Sequence, residues 1–138
     1  MSSVDRPVLS GVKALVVDDH HDSVQLLAAA LEPYGVAVIT AGSVAEARQI
    51  LGAGEVDIIV SDLGLPGENG LELIRWVRSQ PSGRDVPAIA VTFFSERFGV
   101  REARAAGFDV YLRKPIDPTD IVHVVVATLV NRRRPPSP

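Results

Sequence analysis

VDIIVSDLGLPGENG, residues 56–70, decides the fold. It opens with Val56, Ile58, Ile59 and Val60, an almost unbroken apolar run rich in β-branched residues. Such a run fits a strand buried on both faces of a parallel sheet. It stops at Ser61-Asp62, and a carboxylate cannot stay unpaired in a core, so the strand end is a surface or a site. Gly64, Pro66, Gly67 and Gly70 then read as a loop, and Asn69 is positioned to cap a helix that begins near Leu71. Asp62 therefore falls at the carboxyl end of a central strand, where open α/β sheets place their ligands.

Toward the amino terminus the same grammar appears twice more. Lys13 to Val17 (KALVV) reads as a strand that runs into Asp18-Asp19. Asp22 with Gln25 resembles a capping box, and Val24, Leu27, Ala28 and Leu31 form one apolar helical face. Pro33 and Gly35 stop that helix. Val36 to Thr40 is a second strand. Ser43 and Glu46 make a better capping box, with Val44, Ala47 and Leu51 behind it and Gly52 and Gly54 at the end. Residues 1–11 read as a flexible leader.

Toward the carboxyl terminus, Leu71, Ile74 and Val77 give a third helix its core face, and residues 79–87 form a polar loop. Ala88 to Val91 is a fourth strand ending at Thr92. Residues 96–106 form a weaker helix, with Gly99 inside it and Gly107 just past its end. Asp109 to Leu112 is a fifth strand ending at Lys114-Pro115. Asp117 caps and Pro118 opens the last helix, and residues 131–138 (NRRRPPSP) read as a disordered tail. Short links make each crossover a right-handed βαβ unit. The expected fold is an α/β three-layer sandwich, a five-stranded parallel sheet flanked by five helices, filling residues 12–130.

Bulk properties bound the function. A chain of 138 residues makes one domain with a real core. The net charge of -3 gives no reason to expect direct nucleic-acid binding. The absence of cysteine excludes disulfides and thiolate metal sites. No apolar run approaches the ~20 residues of a membrane span. MSSVDRPVLSG lacks the architecture of a secretion signal, so the expected location is cytoplasmic, away from membranes.

Parallel strands end on one edge, and that edge collects Asp18, Asp19, Asp62, Thr92 and Lys114. Clustered carboxylates repel unless a cation joins them. All-oxygen ligands suit Mg²⁺ or Mn²⁺. Lys114 can neutralise a phosphoryl oxygen and Thr92 can donate a hydrogen bond to one. The set points to phosphoryl transfer onto an aspartate.

With these pieces in order and spacing, the chain resembles a response-regulator receiver domain of two-component signalling. The matching segments are LVVDD at 15–19, the D-x-x-x-P-x-x-N-G frame from Asp62 to Gly70, Thr92, and Y-L-R-K-P at 111–115. The resemblance implies a flavodoxin-like sheet of order 2-1-3-4-5 and Asp62 as phosphoacceptor. It implies Mg²⁺ (or Mn²⁺) held by Asp19, Asp62 and the carbonyl of Gly64, with Asp18 assisting through water. Thr92 and Lys114 would hold the phosphoryl oxygens, Tyr111 would switch with Thr92, and the Lys114–Pro115 bond would be cis. A histidine kinase or phosphotransfer protein would be the donor. The run from Ser61 to Val122 resembles receivers of hybrid sensor kinases. No output domain follows the receiver segment, so the chain reads as a stand-alone regulator or as the receiver of a larger protein.

Several features leave alternatives. Receivers usually carry Ala or Gly after the Thr, whereas this chain has Phe93 and Phe94, which either shield the site from water or turn away from it. His20 is a loop residue or titrates against the acids, and His21 carries no metal role. Tyr111 is a switch or a packing residue. The last helix, IVHVVVATLV from Ile121 to Val130, is apolar nearly all round, so it is either a greasy core helix or part of a homodimer face with the fourth helix and fifth strand. A phosphorylation-independent interaction module with the same fold is the alternative function. A haloacid-dehalogenase-like phosphatase is disfavoured, because it wants D-x-D after its first strand.

Overall fold

The computed structural model describes residues 9–93 and 99–133. Among the described residues five strands alternate with five α-helices in chain order. They are β1 (Lys13–Val17), α1 (His21–Leu31), β2 (Ala37–Ala41), α2 (Val44–Ala53), β3 (Ile58–Ser61), α3 (Gly70–Ser79), β4 (Ala88–Thr92), α4 (Val100–Ala106), β5 (Val110–Arg113) and α5 (Pro118–Arg133). The strands pair in parallel in the order β2-β1-β3-β4-β5. This is the expected flavodoxin-like, three-layer arrangement. The direction of winding reverses between β1 and β3, and that reversal opens the ligand crevice of such sheets.

Alternation along each strand builds two cores. Leu15, Val17, Ile59, Ala88 and Ala90 face the layer of α2, α3 and α4. Ala14, Val16, Ile58, Val60, Ile89 and Val91 face α1 and α5. Because both faces are covered, every residue of β3 and β4 is buried, which accounts for their continuous apolar runs. Helix α5 gives Ile121, Val122, Val125 and Leu129 to its core, and its buried Thr128 hydroxyl donates to the Val124 carbonyl at 2.6 Å. Val124 and Val126 are half-buried and Val130 is exposed, so the apolar surplus of that helix is smaller than its sequence suggests.

Local signals hold in several places. Ser43 accepts from the Glu46 N–H, Asn69 accepts from the Glu72 N–H, and Asp117 accepts from the Thr119 N–H. Gly107 closes α4 with a φ of 132°, and the Lys114–Pro115 bond is cis. The Glu46 carboxylate reaches the Gly42 N–H, one residue before the position a reciprocal box would use.

Other expectations need correction. The Asp22–Gln25 box does not form. Helix α1 is entered from His20, whose carbonyl accepts the Val24 N–H, and Asp22 lies within the first turn. The flexible leader of residues 1–11 is too long, because Leu9 is fully buried beside Val12 and Gly11 donates its N–H to the Gly35 carbonyl. Burying one leucine stabilises by about 1.5–3 kcal/mol, enough to hold such a turn. The tail of residues 131–138 begins too early, because α5 continues to Arg133. Arginine propagates a helix well, and the first breakers in the sequence are Pro135 and Pro136. Gly99 is the residue before α4 and not an interior one, while positions 96–98 of that expected helix lie outside the described residues. Strands two and five each begin and end one residue later than expected.

Candidate functional site

Sheet register builds the site. Val17 stands level with Ser61, and Ser61 level with Ala90. The ladder continues for one rung past the strands, as Asp18 N–H donates to the Ala41 carbonyl and Asp62 N–H to the Val17 carbonyl. Asp18 and Asp62 thus leave the sheet side by side. On the far side, Lys114 N–H donates to the Thr92 carbonyl, which fixes where the lysine begins.

The Lys114 ammonium then bridges the two acids, 2.7 Å from Asp18 Oδ2 and 2.9 Å from Asp62 Oδ2. The three side chains are only 4%, 2% and 3% exposed, so this is a buried, charge-assisted triad and not a solvated surface pair. The other Asp62 oxygen, Oδ1, accepts the Gly64 N–H at 3.1 Å. Ser61, also buried, donates its hydroxyl to the Asp62 carbonyl at 2.8 Å. Thr92 is buried at the end of β4.

Behind Asp62 the loop turns tightly into α3. Gly70 donates its N–H to the Leu63 carbonyl, and a Cβ at this position would collide with the Asp62 carbonyl oxygen and crowd Leu63 Cα. Only glycine permits that approach. Glu68 of the same loop forms a two-pronged ion pair with Arg48 of α2 at 2.9 and 2.7 Å. The Arg48 guanidinium also lies 5.6 Å from the Trp76 ring centroid.

Asp18, Asp19, His20 and Asp62 each offer a ligand atom, all within 4.8 Å of one another. The three carboxylates and the one ammonium of Lys114 leave two negative charges, which a divalent cation would cancel. The donors are mostly hard oxygens and Asp19 is exposed enough to be reached from solvent, so the residues fit Mg²⁺ or Mn²⁺.

The expected set of Asp18, Asp19, Asp62, Gly64, Thr92 and Lys114 therefore gathers at one edge. Phe93 is 55% exposed, yet its ring centroid lies 5.3 Å from Lys114 Nζ and its plane meets the His20 ring nearly at right angles, 6.2 Å away. Phe94 lies outside the described residues. Tyr111 is half-buried and packs against the α2–α3–α4 core.

The sequence left His20 open between a loop residue and a partner of the acids, and it did not mark Arg78. The His20 ring joins the acids, with Nδ1 at 3.0 Å from Asp18, 3.4 Å from Asp19 and 3.5 Å from Asp62. Its place directly after the acid pair was the available signal. Arg78 reaches the carbonyls of Gly83, Val86 and Gly107 and the Asp109 carboxylate, tying α3 to the edges of β4 and β5. No local pattern marks it.

The family model for the response regulator receiver domain matches residues 14–126. An uncharacterised 14.6 kDa protein from the region 3′ of sodA1 in Leptolyngbya boryana is 38% identical over 117 residues, spanning 85% of this chain and 89% of that protein. The chemotaxis response regulator CheY4 of Vibrio cholerae superposes with a TM-score of 0.80 at 27% identity, over 85% of this chain and 98% of that one. The receiver domain of a signal transduction histidine kinase from Syntrophus aciditrophicus gives 0.82 at 27% identity, over 93% and 97%.

Proposed function

The chain belongs to the response regulator receiver domain family, and on that premise we propose that it accepts a phosphoryl group on Asp62 from a phosphohistidine donor. The observation that carries the reading is the buried bridge from Lys114 to Asp18 and Asp62. It orients the acceptor carboxylate at the sheet edge, with a cation already beside it.

In the transfer, an Asp62 carboxylate oxygen attacks the donor's phosphorus in line. The new O–P bond forms as the N–P bond breaks, and the donor imidazole leaves with the electron pair. Two anions must approach, so the barrier is largely electrostatic. Asp19, Asp62 and the Gly64 carbonyl would hold the cation, with Asp18 helping through water. When bound, Mg²⁺ or Mn²⁺ supplies charge neutralisation between the phosphoryl oxygens and the acids. Lys114 neutralises a second oxygen, and the Thr92 hydroxyl donates to another. Tyr111 then follows Thr92, and the α4–β5–α5 face changes its affinity for partners or for a second copy of the chain, a shift between two populations. Sedimentation that shows only monomer at rising concentration, with and without a phosphoryl mimic, argues against the second-copy arm.

Among the described residues no helix is long and apolar enough to cross a membrane. The domain's role is signalling, with its own phosphorylation and dephosphorylation as its only chemistry. Intact-mass measurement after acetyl phosphate and Mg²⁺ tests this directly. One phosphoryl group is expected on the wild type and none on Asp62→Asn. An unmodified wild type would favour the phosphorylation-independent module, and a group on Asp18 or Asp19 would move the acceptor.

A further inference from the structure

His20 is the unusual member of the acid cluster. Its backbone N–H donates to Asp18 Oδ1 at 2.9 Å, which folds the residue back over the site. Its ring is half exposed and stands edge-to-face with Phe93, so the aromatic ring borders the imidazole. Nδ1 is directed at all three carboxylates, at 3.0, 3.4 and 3.5 Å.

These separations carry the inference. A small divalent ion holds its donors at about 2.0–2.2 Å, so two donors at right angles around it lie about 3 Å apart. The Nδ1 atom already stands near that spacing from each acid. We propose that His20 is a further protein ligand of the cation site and that it tilts the site's preference from Mg²⁺ toward Mn²⁺ and softer first-row divalent ions. The proposal rests on the reading that Asp18, Asp19 and Asp62 hold a divalent cation.

Ligation uses the Nδ1 lone pair and leaves the ring proton on Nε2. Imidazole nitrogen is a poor match for Mg²⁺, which prefers carboxylate, carbonyl and water oxygens. It suits transition ions, whose affinity for a nitrogen donor rises along the first row. An all-oxygen receiver site lacks this means of telling Mn²⁺ from Mg²⁺. Here the Phe93 ring contributes by limiting where the imidazole can swing, acting as a positioning residue.

The test uses the full chain with Mn²⁺ alone and Mg²⁺ alone. Pulsed electron paramagnetic resonance of bound Mn²⁺ detects a directly coordinated ¹⁴N, and calorimetric titration gives the two affinities. Wild type and His21→Ala should show ¹⁴N modulation, and His20→Ala should lose it. The Mn²⁺-to-Mg²⁺ affinity ratio should fall about tenfold in His20→Ala, the scale on which a lost metal-site partner is felt. Bound Mn²⁺ without ¹⁴N modulation, or an unchanged ratio in His20→Ala, overturns the proposal and leaves the cation site standing. Modulation that survives in His20→Ala places the nitrogen elsewhere and also overturns it. A wild type that binds neither ion overturns the cation-site reading and the proposal together.

Discussion

Replacing Lys114 with methionine removes one charge and keeps most of the packed stem. Its Nζ lies 2.7 and 2.9 Å from carboxylate oxygens of Asp18 and Asp62, and all three side chains are almost fully buried. At an effective dielectric of about 20, each contact is worth about 6 kcal/mol of gross attraction, most of which offsets the cost of taking three charges out of water. Removing only the cation leaves that cost standing and sets two buried anions against each other. The expected loss is about 3–5 kcal/mol without divalent ions. At about 3 °C per kcal/mol for a domain of this size, the melting point should fall by about 10–15 °C. Urea titration in chelator, followed by the single tryptophan Trp76, which is half-buried against the core, measures the difference. Repeating it in excess Mg²⁺ should narrow the gap, because the ion takes over the neutralising role. A variant within about 1 kcal/mol of wild type in chelator, or a gap indifferent to Mg²⁺, would refute the reasoning.

Asp19→Ala should lose Mg²⁺ affinity and phosphorylation together. Its metal-free fold should be as stable as wild type or slightly more so, since Asp19 is partly exposed and its removal relieves repulsion; an unchanged Mg²⁺ titration counts against this. Phe93→Ala should shorten the life of the phosphorylated state. The ring borders Lys114 and His20, and excluding one water from the in-line approach needs only about 1.4 kcal/mol for each tenfold in rate; equal or slower decay means the ring gates nothing. Arg78→Ala should cost about 2–4 kcal/mol, because three backbone carbonyls lose a charged donor in a half-buried setting. Chemical denaturation checks it, and a loss under about 1 kcal/mol would assign those carbonyls to solvent.

The strands were legible because burial on both faces demands continuous apolar runs, and those runs at 13–17, 56–60 and 88–91 need no partner to be recognised. Caps at Ser43, Asn69 and Asp117 were legible for a related reason, since a cap acts within three residues of itself. The candidate site was legible as a set of positions, because parallel strands must deliver their carboxyl ends to one edge. The failures lie where a local signal competed with another local one or with a distant one. Asp22 has the spacing of a cap, but the chain entering α1 is held from His20, whose N–H is bound to Asp18. Leu9 sits in a polar leader, and only the groove beside Val12 makes it core.

By itself the sequence determined which segments are strands and helices, which side chains face inward, and which residues stand at strand ends. Those properties follow from periodicity and from interactions a few residues long. Tertiary structure decided how the ends meet. Lys114 lies 96 residues from Asp18 and 52 from Asp62, and Arg78 lies 29 from Gly107. Whether such groups come within 3 Å depends on sheet order, on a register in which one residue's slip reverses every side chain, and on rotamers chosen by packing. His20 shows the same division: its neighbours in sequence announce an acid pair, but the direction of its ring was set by the folded loop and by Phe93, 73 positions away in the chain.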